Sequence, residues 1–303
     1  ASGCGDWRIT AYGRGLEGSL FKTIFSHLFT AGLGIGFGFH LVACDNMAGT
    51  DEDPNNAAAQ PADHRVVVGE APENGVQFVM PETVIAAGEE KMICWIPDWV
   101  PEKDYFVTQF EGLQSALGHH VVALTSGIPR NAGDVFDCTD IESMITISPL
   151  ILPDLETERL LPDGFAVKLP QDARIVIQSH YVNYAEEDIL VADVARFYFA
   201  AEDSDPTIAS YWIANHGGLQ LQPGEDSATV TCNIESEMKL IVLLGHMHDL
   251  GLEVSVTRTT TEGIIDTIYS VDNWTIEYRD LPPLERFDPA DPLVFNPGDT
   301  VSI

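Results

Sequence analysis

From about residue 65 onward, short runs of β-branched and aromatic residues recur at close spacing, and this pattern limits the fold more than any other feature. The runs are "RVVVG", "VQFVM", "KMICWI", "YFVTQF", "HHVVALT", "RIVIQSHYV", "ARFYFA", "SYWIA", "SATVTCNI", "KLIVLLGHMH", "LEVSVTRT", "IIDTIYS" and "WTIEY". Clusters of Pro, Gly and Asp separate them. Such residues suit a pleated, half-buried surface, and strands at this spacing, divided by turn residues, mark an all-β sandwich. No long stretch has a helical 3.6-residue period. About thirteen runs over ~240 residues exceed what one ordinary sandwich needs. Two sandwiches are therefore expected, 65–183 and 184–303, with the acidic segment "NYAEEDILVAD", residues 183–193, at their junction.

The charge is lopsided: 47 Asp and Glu against 15 Lys and Arg give a formal net of −32. A phosphate backbone or an anionic lipid surface would be repelled, which excludes nucleic acid as a partner. Five cysteines, Cys4, Cys44, Cys94, Cys138 and Cys232, show no C-x-x-C spacing, and their wide scatter suits disulfides in an exported protein. Residues 23–43 carry no Lys, Arg, Asp or Glu, follow Arg14 and Lys22, and meet "LVAC" at Leu41 to Cys44. Residues 1–44 thus resemble a bacterial lipoprotein signal in which Cys44 receives the lipid. A retained transmembrane helix and a core segment are the other readings; Gly32, Gly34, Gly36 and Gly38 count against a stable helix at roughly 1 kcal/mol each. The first reading places the chain outside the cytosol, held to the membrane by a lipid anchor only. Residues 45–64, polar and rich in Ala, Asn and Pro, read as a flexible tether.

Histidines carry the chemical signal. In "GHMHD", residues two apart on a strand share a face, so His246 and His248 would present two imidazoles side by side. In "LGHHVVAL", His119 and His120 sit within an apolar strand. Neighbours on a regular strand face opposite ways, so both reach one metal only if the strand ends, twists or bulges there; Gly118 permits that. In "RIVIQSHYVN", alternation puts Val176, Gln178, His180 and Val182 on one face. Core histidines bonded to carbonyls are the alternative in each case. Neutral imidazole suits Zn, Cu, Fe or Ni. There is no H-E-x-x-H, and Leu250 stands where a metallo-β-lactamase pattern needs Asp.

H-H, then Q-x-H-Y, then H-x-H, about 60 to 66 residues apart, resembles the copper type II, ascorbate-dependent monooxygenases, which include peptidylglycine α-hydroxylating monooxygenase and dopamine β-monooxygenase. "EEKMICWIPDWVPEKDYFVTQFEG", "GFAVKLPQDARIVIQSHYVN", "GHMHDLGLEVSV" and "FNPGDTVSI" are similar to successive family segments, from about residue 76 to the end. The resemblance implies two tandem jelly-roll β-sandwich domains with a solvent-filled cleft between, and two coppers. His119, His120 and His180 would bind the first, electron-donating copper, and His246 and His248 the second, where O2 and a small-molecule substrate meet. It also implies ascorbate or another reductant as electron donor, and hydroxylation of an aliphatic C–H. Gln178, on the face of His180, is expected to support the ligands or line the cleft.

The departures are specific. The family's second copper also takes a Met from an E-M-C motif, but the last Met here is Met247 and the chain stops at "TVSI", so that ligand is expected beyond residue 303. Leu244 replaces the Arg with which peptide-hydroxylating members hold a substrate carboxylate, so a peptide substrate is not supported. Ser126 stands where those enzymes place the cysteine partner of Cys138, which leaves pairing of Cys94 with Cys138 as one option.

Overall fold

The computed structural model describes residues 60–115, 117–139, 146–155, 159–214, 223–247 and 250–303. Within them the chain is all-β, as the run pattern predicts, with one helical turn at Glu277–Asp280. One five-stranded sheet has the order Val135–Asp137, Glu90–Trp95, Ile175–Val182, Gly118–Ser126, Ile147–Ile151, antiparallel throughout. A second has the order Thr207–Ala209, Phe165–Leu169, Tyr105–Leu113, Val194–Phe199, Gly75–Val79, and only its first pairing is parallel.

The two sheets share a core. Ile93, Val121, Ile175, Ile177 and Tyr181 from the first meet Val107, Phe110, Val167, Leu169 and Phe197 from the second. The first sheet is also covered on its other face. There Val176 and Leu124 join Cys94, Ile96, Cys138 and Ile147 in a smaller buried cluster, closed by a Cys94–Cys138 disulfide. The Ile175–Val182 strand is therefore buried on both sides along most of its length, which makes it a stiff platform for any side chain it carries.

Residues 231–303 form sheets and a core of their own. A four-stranded sheet runs Thr231–Asn233, Thr300–Ser302, Val254–Thr259, Ile265–Val271. Met238–Leu240 pairs with Leu293–Phe295, and Val242–Leu244 pairs with Leu284–Arg286. Ile234, Val256, Tyr269, Val271, Trp274, Phe295 and Val301 are buried together among them.

Several expectations need correction. The segment 183–193 is not a junction. Ile189–Val191 is the middle strand of a small sheet between Ala62–Asp63 and Thr83–Ile85, and Val194–Phe199 and Thr207–Ala209 belong to the first sandwich. Asn183 is buried, and its amide donates to the carbonyls of Ile85, Ala86 and Glu187 at 3.2, 2.9 and 3.0 Å. The end of the expected tether is also paired: Ala62 and His64 donate to Asp188 and Leu190. "RVVVG" and "SYWIA" are not strands, and Val67 is almost fully exposed. "WTIEY" is a turn leading into the helical turn. Trp274 and Tyr278, four residues apart, contact edge to face at 5.8 Å while Ile276 points outward, a helical rather than an alternating pattern.

Candidate metal centre

The centre begins with a register break. In the pairing of Ile175–Val182 with Gly118–Ser126, His180 lies opposite His120 and Tyr181 opposite Gly118, so His119 has no counterpart. Such a β-bulge sets two consecutive residues against one. Strict alternation would send His119 into the core beside Val121. The bulge instead brings its ring to the face that carries His120 and His180. The ring centroids are 4.9 Å apart for His119–His120, 4.9 Å for His119–His180 and 5.1 Å for His120–His180. One ligand nitrogen from each lies within 4.8 Å of the others. His119 and His180 are buried, His180 to 1% exposure.

Gly118 serves this arrangement through space, not through an unusual backbone angle. A Cβ there would lie 2.5 to 2.7 Å from Cδ, Cβ and Oε1 of Gln114. Gln114 uses that room to donate from Nε2 to Asp193 Oδ2 at 2.8 Å and toward the His180 carbonyl at 3.4 Å. Asp193 is fully buried. Burial pushes its carboxyl up, against hydrogen bonds from Tyr181, Ser179 and Gln114 that pull it down.

On the side that carries the imidazoles, Gln178 shares the face of His180, as alternation predicts. It is buried, hydrogen-bonds His120, and points its amide nitrogen at the disulfide, 3.4 Å from Cys138 Sγ. Burial, then the neighbouring imidazoles of His119, His180 and His246, push the His120 imidazole down to about 3. It therefore stays neutral, with a lone pair to offer, at any ordinary pH. His180 Nε2 lies 2.9 Å from Glu90 Oε1 on the neighbouring strand.

His246 is not on a strand. The Val242–Leu244 strand ends two residues earlier, where Gly245 is pressed against Tyr269 and Val254. His246 follows Gly245 and stacks on His119, with centroids 5.6 Å apart and rings 25° from parallel. The expected strand-face pair with His248 is therefore not how His246 is presented. His248 itself lies outside the described residues, as do Cys44, the signal-like segment and most of the tether. Met247 turns the other way and packs against the C-terminal core. Thus His246 meets the first cluster directly. Arg286 also crosses between the two regions, donating to the carbonyls of Arg159 and Leu160 at 2.6 and 3.4 Å.

The residues present fit a transition-metal ion. The donors are imidazoles, one of them held neutral by its surroundings. Three nitrogens on one ion at about 2.0–2.1 Å sit at most ~4.2 Å apart, close to the spacing already present. Glu90, Gln114 and Asp193 were not singled out from sequence. Strand alternation puts Glu90 on the face of Met92 and Cys94, but only the pairing of strands brings it to His180. The chain matches no protein-family model and no curated protein. Among the described residues no helix is long and apolar enough to cross a membrane.

Proposed function

We propose that the protein is a copper-dependent monooxygenase that hydroxylates an aliphatic C–H of a small organic substrate, with O2 and an external one-electron reductant such as ascorbate. The observation that carries the reading is the bulge at His119, which gathers three imidazoles on one face of a rigid strand pair. Among imidazole-binding metals, copper is favoured by the ordered likeness of H-H, Q-x-H-Y and H-x-H to the copper monooxygenases. The Cys94–Cys138 disulfide supports an oxidising, extracytoplasmic location, in keeping with a lipid anchor at Cys44. His119, His120 and His180 would hold the first copper; His246, with His248, would hold the second. Bound copper supplies one-electron cycling between its +2 and +1 states and the reduction of O2. The chain's own part is to fix the imidazoles: Gln178 steadies His120, and burial keeps water from His119 and His180.

A second reading is a surface lipoprotein that binds copper without catalysis. The burial of His119 and His180 favours it, because ligands closed off from solvent suit capture. Copper content and reductant-dependent O2 uptake of the full chain, beside His180→Ala, separate the two. O2 uptake that vanishes in the variant supports the monooxygenase. Retained copper without O2 uptake supports capture, and no bound copper contradicts both.

A further inference from the structure

The first sheet supplies more than imidazoles. His180 lies directly opposite Met92, and Val182 opposite Glu90. Diagonal neighbours across an antiparallel pair are roughly 7–8 Å apart, within reach of a long side chain. Glu90 uses that reach: its Oε1 is 2.9 Å from His180 Nε2, although the imidazole is 1% exposed and the carboxylate 59%. The carboxylate does not belong to the group whose ligand atoms converge, which is His119, His120 and His180 alone among the described residues. It reaches one ring of the cluster, that of His180.

We infer that Glu90 is a positioning residue for the metal centre: it accepts the Nε2–H of His180, fixing the tautomer whose Nδ1 lone pair is offered to the ion. The chemistry follows from the imidazole, which carries one N–H and one lone pair when neutral. If Nε2 holds the proton in a bond to a carboxylate, Nδ1 must be the donor atom. An anion behind the ring also makes that nitrogen a stronger donor, and this favours the oxidised ion over the reduced one. Lys91, the next residue, pairs with Glu89 at 3.2 Å; among the described residues Glu90 makes no such ion pair to Lys or Arg.

The role presupposes the metal site proposed above, so the experiment includes a control for that site. Glu90→Gln, Glu90→Ala and His180→Ala are made in the full chain. Three readouts apply: Cu(II) affinity by chelator competition, the Cu(II)/Cu(I) midpoint potential, and the His180 tautomer in the metal-free protein by nitrogen NMR. The wild type should show His180 protonated at Nε2. Glu90→Ala should lose that tautomer preference, bind Cu(II) about 10- to 100-fold more weakly, and shift the midpoint upward. Glu90→Gln, whose amide oxygen still accepts the N–H without charge, should fall between. Wild-type affinity, potential and tautomer in Glu90→Ala, with copper lost in His180→Ala, would overturn the role of Glu90 and leave the metal site standing. Full copper affinity in His180→Ala would overturn both.

Discussion

Replacing Gly118 with Ala should damage the centre without touching an imidazole. The new Cβ would lie 2.5 Å from Gln114 Cδ, 2.6 Å from its Cβ and 2.7 Å from its Oε1. Those are too many close contacts, one of them near the root of the side chain, for Gln114 to avoid by swinging its end. Gln114 must therefore leave Asp193 and the His180 carbonyl. Losing a partner of a buried polar group costs about 1–3 kcal/mol, and the overpacking itself adds about 1–3 kcal/mol. Urea unfolding of four proteins, wild type, Gly118→Ala, Gln114→Ala and the double variant, measures both parts. Gly118→Ala should lose about 2–6 kcal/mol. The double variant should lose more than Gln114→Ala but less than the sum of the two single changes, because the contacts with Cδ and Oε1 have gone while the one with Cβ at 2.6 Å remains. The bulge should also loosen, and Gly118→Ala should bind copper more weakly. Wild-type stability in Gly118→Ala, or strict additivity in the double variant, would refute this use of the glycine.

Other consequences can be checked together. Cys94→Ser with Cys138→Ser opens a 44-residue separation, which should lower stability by about 4 kcal/mol on the loop-entropy argument. Equal denaturant midpoints would count against it. Gln178→Ala should weaken metal binding about 10- to 100-fold while the protein stays folded, and a cooperative melt together with chelator competition reads both. His120 is pushed from 6.5 to about 3, chiefly by burial, so the metal-free fold refuses a proton that the unfolded chain accepts. The stability tied to this group is present above pH 6.5 and drains away as pH falls toward 3. Denaturant midpoints across that range should fall less steeply in His120→Gln than in wild type; parallel slopes would show that His120 does not carry the effect.

The fold class was legible because alternation and turn residues are local. The face shared by Val176, Gln178 and His180 followed from counting by twos, and "HH" could be read as needing a bulge because neighbours cannot otherwise converge. What could not be read was pairing. Glu90 becomes a neighbour of His180 only through the register of two strands far apart in sequence, and Asp193 lies beneath Gln114 for the same reason. "WTIEY" misled because Trp274, Ile276 and Tyr278 satisfy alternation on paper, while the chain uses the four-residue spacing of Trp274 and Tyr278. The segment 183–193 misled because its surface-like acids hide Ile189, Val191 and Asn183, all buried. His246 was expected on a strand because "KLIVLLGHMH" is apolar throughout. The strand in fact ends at Leu244.

The proposed function depends first on His119, His120 and His180 binding one copper ion together. Crystals of the full chain soaked with Cu(II), with diffraction recorded on either side of the copper absorption edge, locate the ion without any assay of activity. The strongest anomalous peak should lie within bonding distance of a nitrogen from all three imidazoles. A strongest peak elsewhere, or no peak among these histidines at saturating copper, would contradict a copper site shared by these three imidazoles.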